Sequence, residues 1–149
     1  MLLGKKNPSG KLNETYANNL EDYPSFKFYP GDRNHLEYRE SIFVGYRYFD
    51  TAQKEVKYPF GFGLSYTTFE YNNMKVKNNN NLVEVHVTIT NTGNFEGKEV
   101  VQLYISCLNS KLFRAKQELK RFKKINLMPG ESKEVVFSLD EDCFSYFNT

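Results

Sequence analysis

"LVEVHVTIT", residues 82–90, places Val83, Val85, Val87 and Ile89 on one side of an extended chain and Glu84, His86, Thr88 and Thr90 on the other. Successive side chains of a strand point to opposite faces, so the segment reads as a half-buried antiparallel strand. Two more segments share the pattern. "KEVVQLYIS" aligns Val101, Leu103 and Ile105, and "KEVVFSLD" aligns Val135, Phe137 and Leu139. Between them, "NTGNFEG" (91–97) and "MPGE" (128–131) carry turn formers. "NNNN" at residues 78–81 reads as a hairpin loop. "QELKRFKKINL" is ambiguous, because Leu119, Phe122 and Ile125 are three apart, but its neighbours favour a strand. Short strands at this spacing predict a β-sandwich.

The first 57 residues differ. "NPSGK" is a turn, and Pro24, Pro30 and Gly31 interrupt the chain again. Residues 42–49 of "SIFVGYRYFD" are predicted to be a strand, with "TAQKEVK" a polar connection. No helix stands out. A self-contained domain seldom opens with so long an irregular stretch, so these residues read as the edge of something larger.

Composition narrows the function. The 149 residues are 40% hydrophobic and 26% charged, with 13 Phe, 11 Tyr and no Trp. That is globular, and the rings either fill a core, the commoner use, or line a carbohydrate-contacting surface. A net charge of +2 gives no reason to expect nucleic acid or an anionic membrane. No apolar run is long enough to span a bilayer, and "MLLGKKNPSGK" is not a signal peptide. That absence leaves export open if the chain is a fragment, so the compartment stays unknown. Cys107 and Cys143 are expected to be buried free thiols.

Five blocks resemble the C-terminal part of glycoside hydrolase family 3 enzymes of the β-glucosidase type. They are "NPSGKLNET", "YRESIFVGYRYFD", "YPFGFGLSYTTFEY", "VTITNTGNFEGKEVVQLYI" and "QELKRFKKINLMPGE". The resemblance covers essentially the whole chain. It implies residues 1–40 as the tail of an α/β sandwich domain and 41–65 as a connecting strand and interdomain joint. Residues 66–149 would be an incomplete fibronectin type III-like, immunoglobulin-like β-sandwich. It implies retaining hydrolysis of β-linked glucosides, with the nucleophilic Asp and the acid/base Glu both upstream. No catalytic residue therefore carries over, and the chain alone is not expected to be active. Its partners would be the upstream barrel and α/β sandwich, on the same or a neighbouring chain, with carbohydrate met only through them. The chain departs from the family at Asn13, where a proline is usual, and at Arg121, where a glycine is common. It stops after "FSYFNT" where the family continues, so it is expected to be truncated at both ends.

The joint is expected to comprise Arg47, Tyr48, Phe60, Gly61, Phe62, Gly63 and Tyr66. In "YPFGFGLSY" an extended chain would set Phe60, Phe62, Leu64 and Tyr66 on one face, with Gly61, Gly63 and Ser65 opposite, where another backbone could approach. The rival geometry has the glycines at positive φ in turns and no strand. Either places the segment at a boundary. "GFG" lacks the further glycine and helix of a phosphate loop.

Other candidates have ordinary readings. Glu14, Glu37, Glu40 and Asp50 are available carboxylates, but nothing marks two of them as a catalytic pair. His35 and His86 are isolated, so neither a metal nor another cofactor is expected. The basic run at 120–124 reads as a solvated strand face. Arg47, between Tyr46 and Tyr48, could hold a carboxylate or stack on a ring, and an interdomain ion pair is the expected role. "NET" at Asn13 is a glycosylation sequon that matters only in a secreted eukaryotic protein. The leading function is a structural portion of a β-glucosidase. The alternatives are a stand-alone carbohydrate-binding or adhesive β-sandwich and a remnant of a broken gene.

Overall fold

The alternating residues form the core. In the computed structural model, which describes residues 3–32, 34–79 and 82–146, Val85, Val87 and Ile89 are buried. They lie on a strand flanked on both sides by antiparallel partners. In chain order the strands are β1 (Tyr16–Ala17), β2 (Val56–Tyr58), β3 (Phe69–Asn79), β4 (Leu82–Asn91), β5 (Gly97–Ile105), β6 (Glu118–Leu127) and β7 (Ser132–Leu139). One α-helix, α1 (Tyr46–Thr51), and two single 3-10 turns, Leu20–Asp22 and Glu141–Cys143, complete the elements.

The chain divides into two compact units. Unit 1 takes Met1–Gly10, Gly63–Ile105 and Leu119–Thr149, and unit 2 takes Lys11–Phe62 and Ser106–Glu118.

Unit 1 is a β-sandwich. One sheet has the order β3-β4-β7 and the other pairs β5 with β6. Across the first sheet Val85 faces Val76 and Phe137, and Val87 faces Val135. The inward faces of both sheets join in one cluster, with Val101 and Leu127 from the second sheet packed among Val85, Ile89, Val135, Phe137 and Leu139. Each such side chain contributes roughly 1.5–3 kcal/mol by transfer, before its ordering entropy is subtracted. β6 is the strand that the context favoured. Ile125 packs on the core and Leu127 is buried, whereas Phe122 is exposed, so the three-residue spacing does not mark one face. Of the expected hairpin loop at 78–81, Asn78 and Asn79 pair with Val83 and Leu82 at the end of β3. Residues 80–81 lie outside the described residues.

Polar groups are also fixed in this sandwich. Glu99 is buried and accepts a hydrogen bond from the Tyr71 hydroxyl at 3.0 Å. Burial first, then the neighbouring Glu99 charge, push the Tyr71 phenol well above its ordinary range. On the outer face, His86 lies between Glu134 at 3.3 Å and Glu84 at 3.7 Å.

Unit 2 is less regular. β1 and β2 pair antiparallel, with Tyr16 opposite Tyr58. Its core is Phe49, 1% exposed, against which Tyr23 packs edge-on at 5.6 Å. Two expectations are corrected here and one open alternative is decided. Residues 42–49 are not a strand, because Gly45 takes φ +58 and its carbonyl accepts from the amides of Tyr48 and Phe49, starting α1. Residues 60–66 are not a strand either. Finally, Cys107 is exposed while Cys143 is buried. Cys107 continues the inward series of Val101, Leu103 and Ile105, but β5 ends at Ile105 and the alternation ends with it.

Candidate functional site

The segment after β2 turns instead of extending. The Phe62 amide donates to the Pro59 carbonyl at 3.1 Å, closing a four-residue turn with Gly61 in its third position at φ +79. A type II turn needs a left-handed residue there, which is why a glycine stands at 61. The rival geometry is thus present at Gly61, whereas Gly63 is not in the left-handed region. Beyond the turn, Leu64 and Tyr66 are 72% and 51% exposed, so no continuous aromatic strip is buried.

The turn is held by the "PSGKL" block. The Gly61 amide donates to the Leu12 carbonyl and the Leu12 amide donates to the Phe62 carbonyl, both at 2.8 Å. Two blocks 50 residues apart in sequence are therefore paired backbone to backbone in unit 2. Rings finish the cluster. Phe60 lies 5.0 Å from Tyr46, and Phe62 lies 5.0 Å from Tyr58. Such pairs contribute about 0.5–1.5 kcal/mol beyond area burial.

Arg47 and Tyr48 lie on α1. The Arg47 carbonyl accepts from the Thr51 hydroxyl at 2.6 Å. Its Nε is buried and has no hydrogen-bond partner among the described residues. Leaving such a donor unsatisfied costs roughly 1–3 kcal/mol. Tyr48 packs on Phe49 at 5.2 Å and has the Lys54 ammonium 5.7 Å from its ring centre. Of the seven expected joint residues, Arg47, Tyr48, Phe60, Gly61 and Phe62 belong to unit 2, while Gly63 and Tyr66 belong to unit 1.

Three of the four candidate carboxylates, Glu14, Glu37 and Asp50, have local partners. Glu37 is ion-paired to Arg39, whose hydrogen bond holds the Glu37 carboxyl below its ordinary range, with His35 also near at 3.4 Å. Asp50 accepts from Gln117 at 2.8 Å, beside a hydrogen bond from the Lys116 amide to Thr51. Glu14 raises the Tyr16 phenol by hydrogen bonding.

Sequence reasoning missed one residue of consequence. Asn91 reads as a turn former in "NTG", yet it is fully buried. Its Oδ1 accepts from the Thr67 hydroxyl at 2.6 Å and from the Gly93 amide at 3.1 Å. Its Nδ2 donates to the Phe95 carbonyl at 2.8 Å and the Leu127 carbonyl at 3.0 Å. Gly93 is needed beside it, because a Cβ there would meet the Thr67 hydroxyl and lie 2.9 Å from the Thr68 backbone nitrogen. The two segments, "YTTFEY" and "NTG", are each legible, but nothing in a sequence says that they touch.

Comparison with known proteins fits this arrangement. A family model described as a fibronectin type III-like domain matches residues 99–149. Thermostable β-glucosidase B of Acetivibrio thermocellus is 46% identical over 153 residues, covering 100% of this chain. The crystal structure of a Bifidobacterium adolescentis family 3 β-glucosidase superposes with a TM-score of 0.93 at 46% identity, over 99% of this chain. This chain belongs to glycoside hydrolase family 3. It is a C-terminal portion of that architecture, and it spans 20% of the length of the Acetivibrio enzyme and 22% of the Bifidobacterium chain. Family 3 relatives at this similarity are not all β-glucosidases: an exo-α-(1→6)-L-arabinopyranosidase of Bifidobacterium breve is 43% identical over 149 residues, of which 99% of this chain and 20% of its own length are matched.

The turn gives a direct prediction. Gly61→Val forces a β-branched residue into the left-handed region and should cost unit 2 about 1–3 kcal/mol. Gly63→Val meets no such backbone barrier and should cost less. Thermal unfolding with limited proteolysis of residues 11–62 measures both. Equal losses for the two variants would rule out the turn as the reason for Gly61.

Proposed function

We propose that this chain is the C-terminal structural portion of a β-glucosidase-type hydrolase and packs against catalytic domains that it does not itself contain. The observation that carries the reading is the end-to-end match to β-glucosidases at about a fifth of their length. In this reading residues 1–40 complete an α/β sandwich domain, residues 41–65 connect, and residues 66–149 form the fibronectin type III-like domain. Arg47, Tyr48, Phe60, Gly61, Phe62, Gly63 and Tyr66 serve the joint. The unsatisfied Arg47 Nε supports that role, because an acceptor from an adjoining domain would relieve it once the side chain reorients.

Hydrolysis with retention needs a nucleophile and an acid/base ~5–5.5 Å apart, held as a unit. Those groups belong to the catalytic domains, and the β-linked glucoside meets this chain only through them. The occurrence of both glucosidases and an arabinopyranosidase among close relatives supports placing sugar selection outside this portion.

A chimera tests the reading. The matching segment of the Acetivibrio enzyme is replaced by this chain, and turnover of an aryl β-glucoside is measured beside the enzyme lacking the segment and this chain alone. The chimera should be active, the truncated enzyme inactive or unstable, and the isolated chain no faster than buffer. A folded but inactive chimera would overturn the structural role. So would turnover by the isolated chain that vanishes in a Glu40→Gln, Asp50→Asn double variant.

A further inference from the structure

We propose that an open groove on unit 1 binds an acidic oligosaccharide, with a sugar ring on Phe95 and carboxylates on Lys5, Lys6 and Lys98. The groove has a volume of about 920 Å³ and is walled by residues 4–7, residues 95–98 at the start of β5, and Asn126. That volume lies within the usual range for small-ligand sites, ~300–1,000 Å³, and suits a saccharide of a few units. The groove lies within unit 1, and its test, binding by the whole chain, is read separately from the chain's role in a β-glucosidase.

Its floor is preformed. The Asn7 amide donates to the Glu96 carbonyl at 2.9 Å, and its oxygen accepts from the Tyr66 amide at 2.9 Å and the Ser65 hydroxyl at 3.1 Å. Lys124 anchors the same segment by donating to the Ser9 carbonyl at 3.0 Å. These bonds fix the N-terminal wall against the strand-connecting turn, so little ordering is left for the ligand to impose.

Charge selects the ligand. Lys5, Lys6 and Lys98 are exposed, and among the described residues none of them has an ion-pair partner. The opposing carboxylate, Glu96, is engaged by the Asn126 side-chain amide at 2.7 Å. The groove therefore presents three ammonium groups and one carboxylate, a net positive lining. Phe95 is 61% exposed, a large ring turned to water at the groove. An aromatic face beside cationic donors matches a uronate, which offers an apolar C–H face and a carboxylate on one ring. A nucleic acid is disfavoured, because the chain's net charge of +2 supplies no wider basic surface.

Calorimetric titration of the whole chain with trigalacturonate, and separately with cellotriose, is the test. Trigalacturonate should bind at least about tenfold more tightly than the neutral trisaccharide. Phe95→Ala should weaken it about tenfold, and Lys98→Gln about fivefold. Both residues are exposed, so their unfolding midpoints should match the parent's. Absence of binding would overturn the proposal, as would equal affinity for the two sugars. Trigalacturonate binding that is insensitive to Phe95→Ala would also overturn it, reducing the groove to a general polyanion surface. If Phe95→Ala fails to fold, Phe95→Tyr, which keeps the ring, should retain binding while Lys98→Gln weakens it about fivefold.

Discussion

Asn91→Leu should lower the unfolding midpoint of unit 1 by more than about 10 °C. The substitution nearly conserves volume, so the loss measures polarity and not a cavity. Asn91 uses both acceptor directions and both amide hydrogens within the protein. Leucine strands the Thr67 hydroxyl, the Gly93 amide and the carbonyls of Phe95 and Leu127 together. Each unsatisfied buried group costs roughly 1–3 kcal/mol, and partial relaxation holds the sum to about 3–5 kcal/mol. A domain of this size has only about 5–15 kcal/mol in total, and each kcal/mol moves its midpoint by about 4–8 °C. Asn91→Asp separates hydrogen bonding from shape. Its second oxygen would face two carbonyls, and the buried charge would raise its folded-state pKa above the unfolded value. The native state then binds the extra proton, so stability should rise as pH falls through that folded value and be lost as pH rises. Thermal unfolding at neutral and acid pH reads both variants. A leucine variant within about 5 °C of the parent would remove Asn91 from the account of stability.

The strands were legible because burial alone determined them. Val85, Val87 and Ile89 face a core on one side and polar partners on the other, and period-two alternation records that directly. The same holds for Val135, Phe137 and Leu139. β6 was harder, since Leu119, Phe122 and Ile125 mimic a helical spacing, and only its packing shows Ile125 inward with Phe122 in solvent. α1 was illegible for a physical reason. Six residues cannot hold a helix by propensity, and "YRYFD" is rich in strand-favouring rings. What decides it is Gly45 at φ +58 and the burial of Phe49, one backbone and one tertiary fact. The geometry around Gly61 was not legible. The alternation of "PFGFGLSY" suggested a strand, whereas the Leu12 pairing that holds Gly61 and Phe62 comes from 50 residues away. Asn91 and Asn7 were hidden for another reason: a buried, fully bonded asparagine and a solvated turn asparagine look alike in sequence.

Phe49→Ala should open unit 2 while leaving unit 1 folded. Phe49 is the one large buried apolar residue in the paired and helical segments of unit 2. Its ring meets Tyr23 at 5.6 Å and Tyr48 at 5.2 Å. Tyr23 in turn donates its hydroxyl to the Thr15 carbonyl and accepts from the Ala17 amide, which ties the ring cluster to β1. Truncating a buried phenylalanine costs about 3–5 kcal/mol, and a unit with so few buried apolar groups has little reserve against it. α1 cannot survive independently, so Arg47 and Tyr48 should lose their placement together. The Asp50 to Gln117 and Thr51 to Lys116 bonds should loosen with it. Hydrogen exchange with limited proteolysis reads the outcome by segment. Protection should fall across residues 11–62 and 106–118 and persist at Val85, Ile89 and Val135. Phe49→Leu keeps most of the volume and should lose only about 1–1.5 kcal/mol. In the chimera, Phe49→Ala should lower the temperature at which activity is lost, with KM unchanged, if α1 serves the proposed joint and not the substrate site. Unchanged protection in residues 11–62 would show that Phe49 does not hold unit 2. A changed KM at unchanged stability would move α1 from the joint to the substrate site.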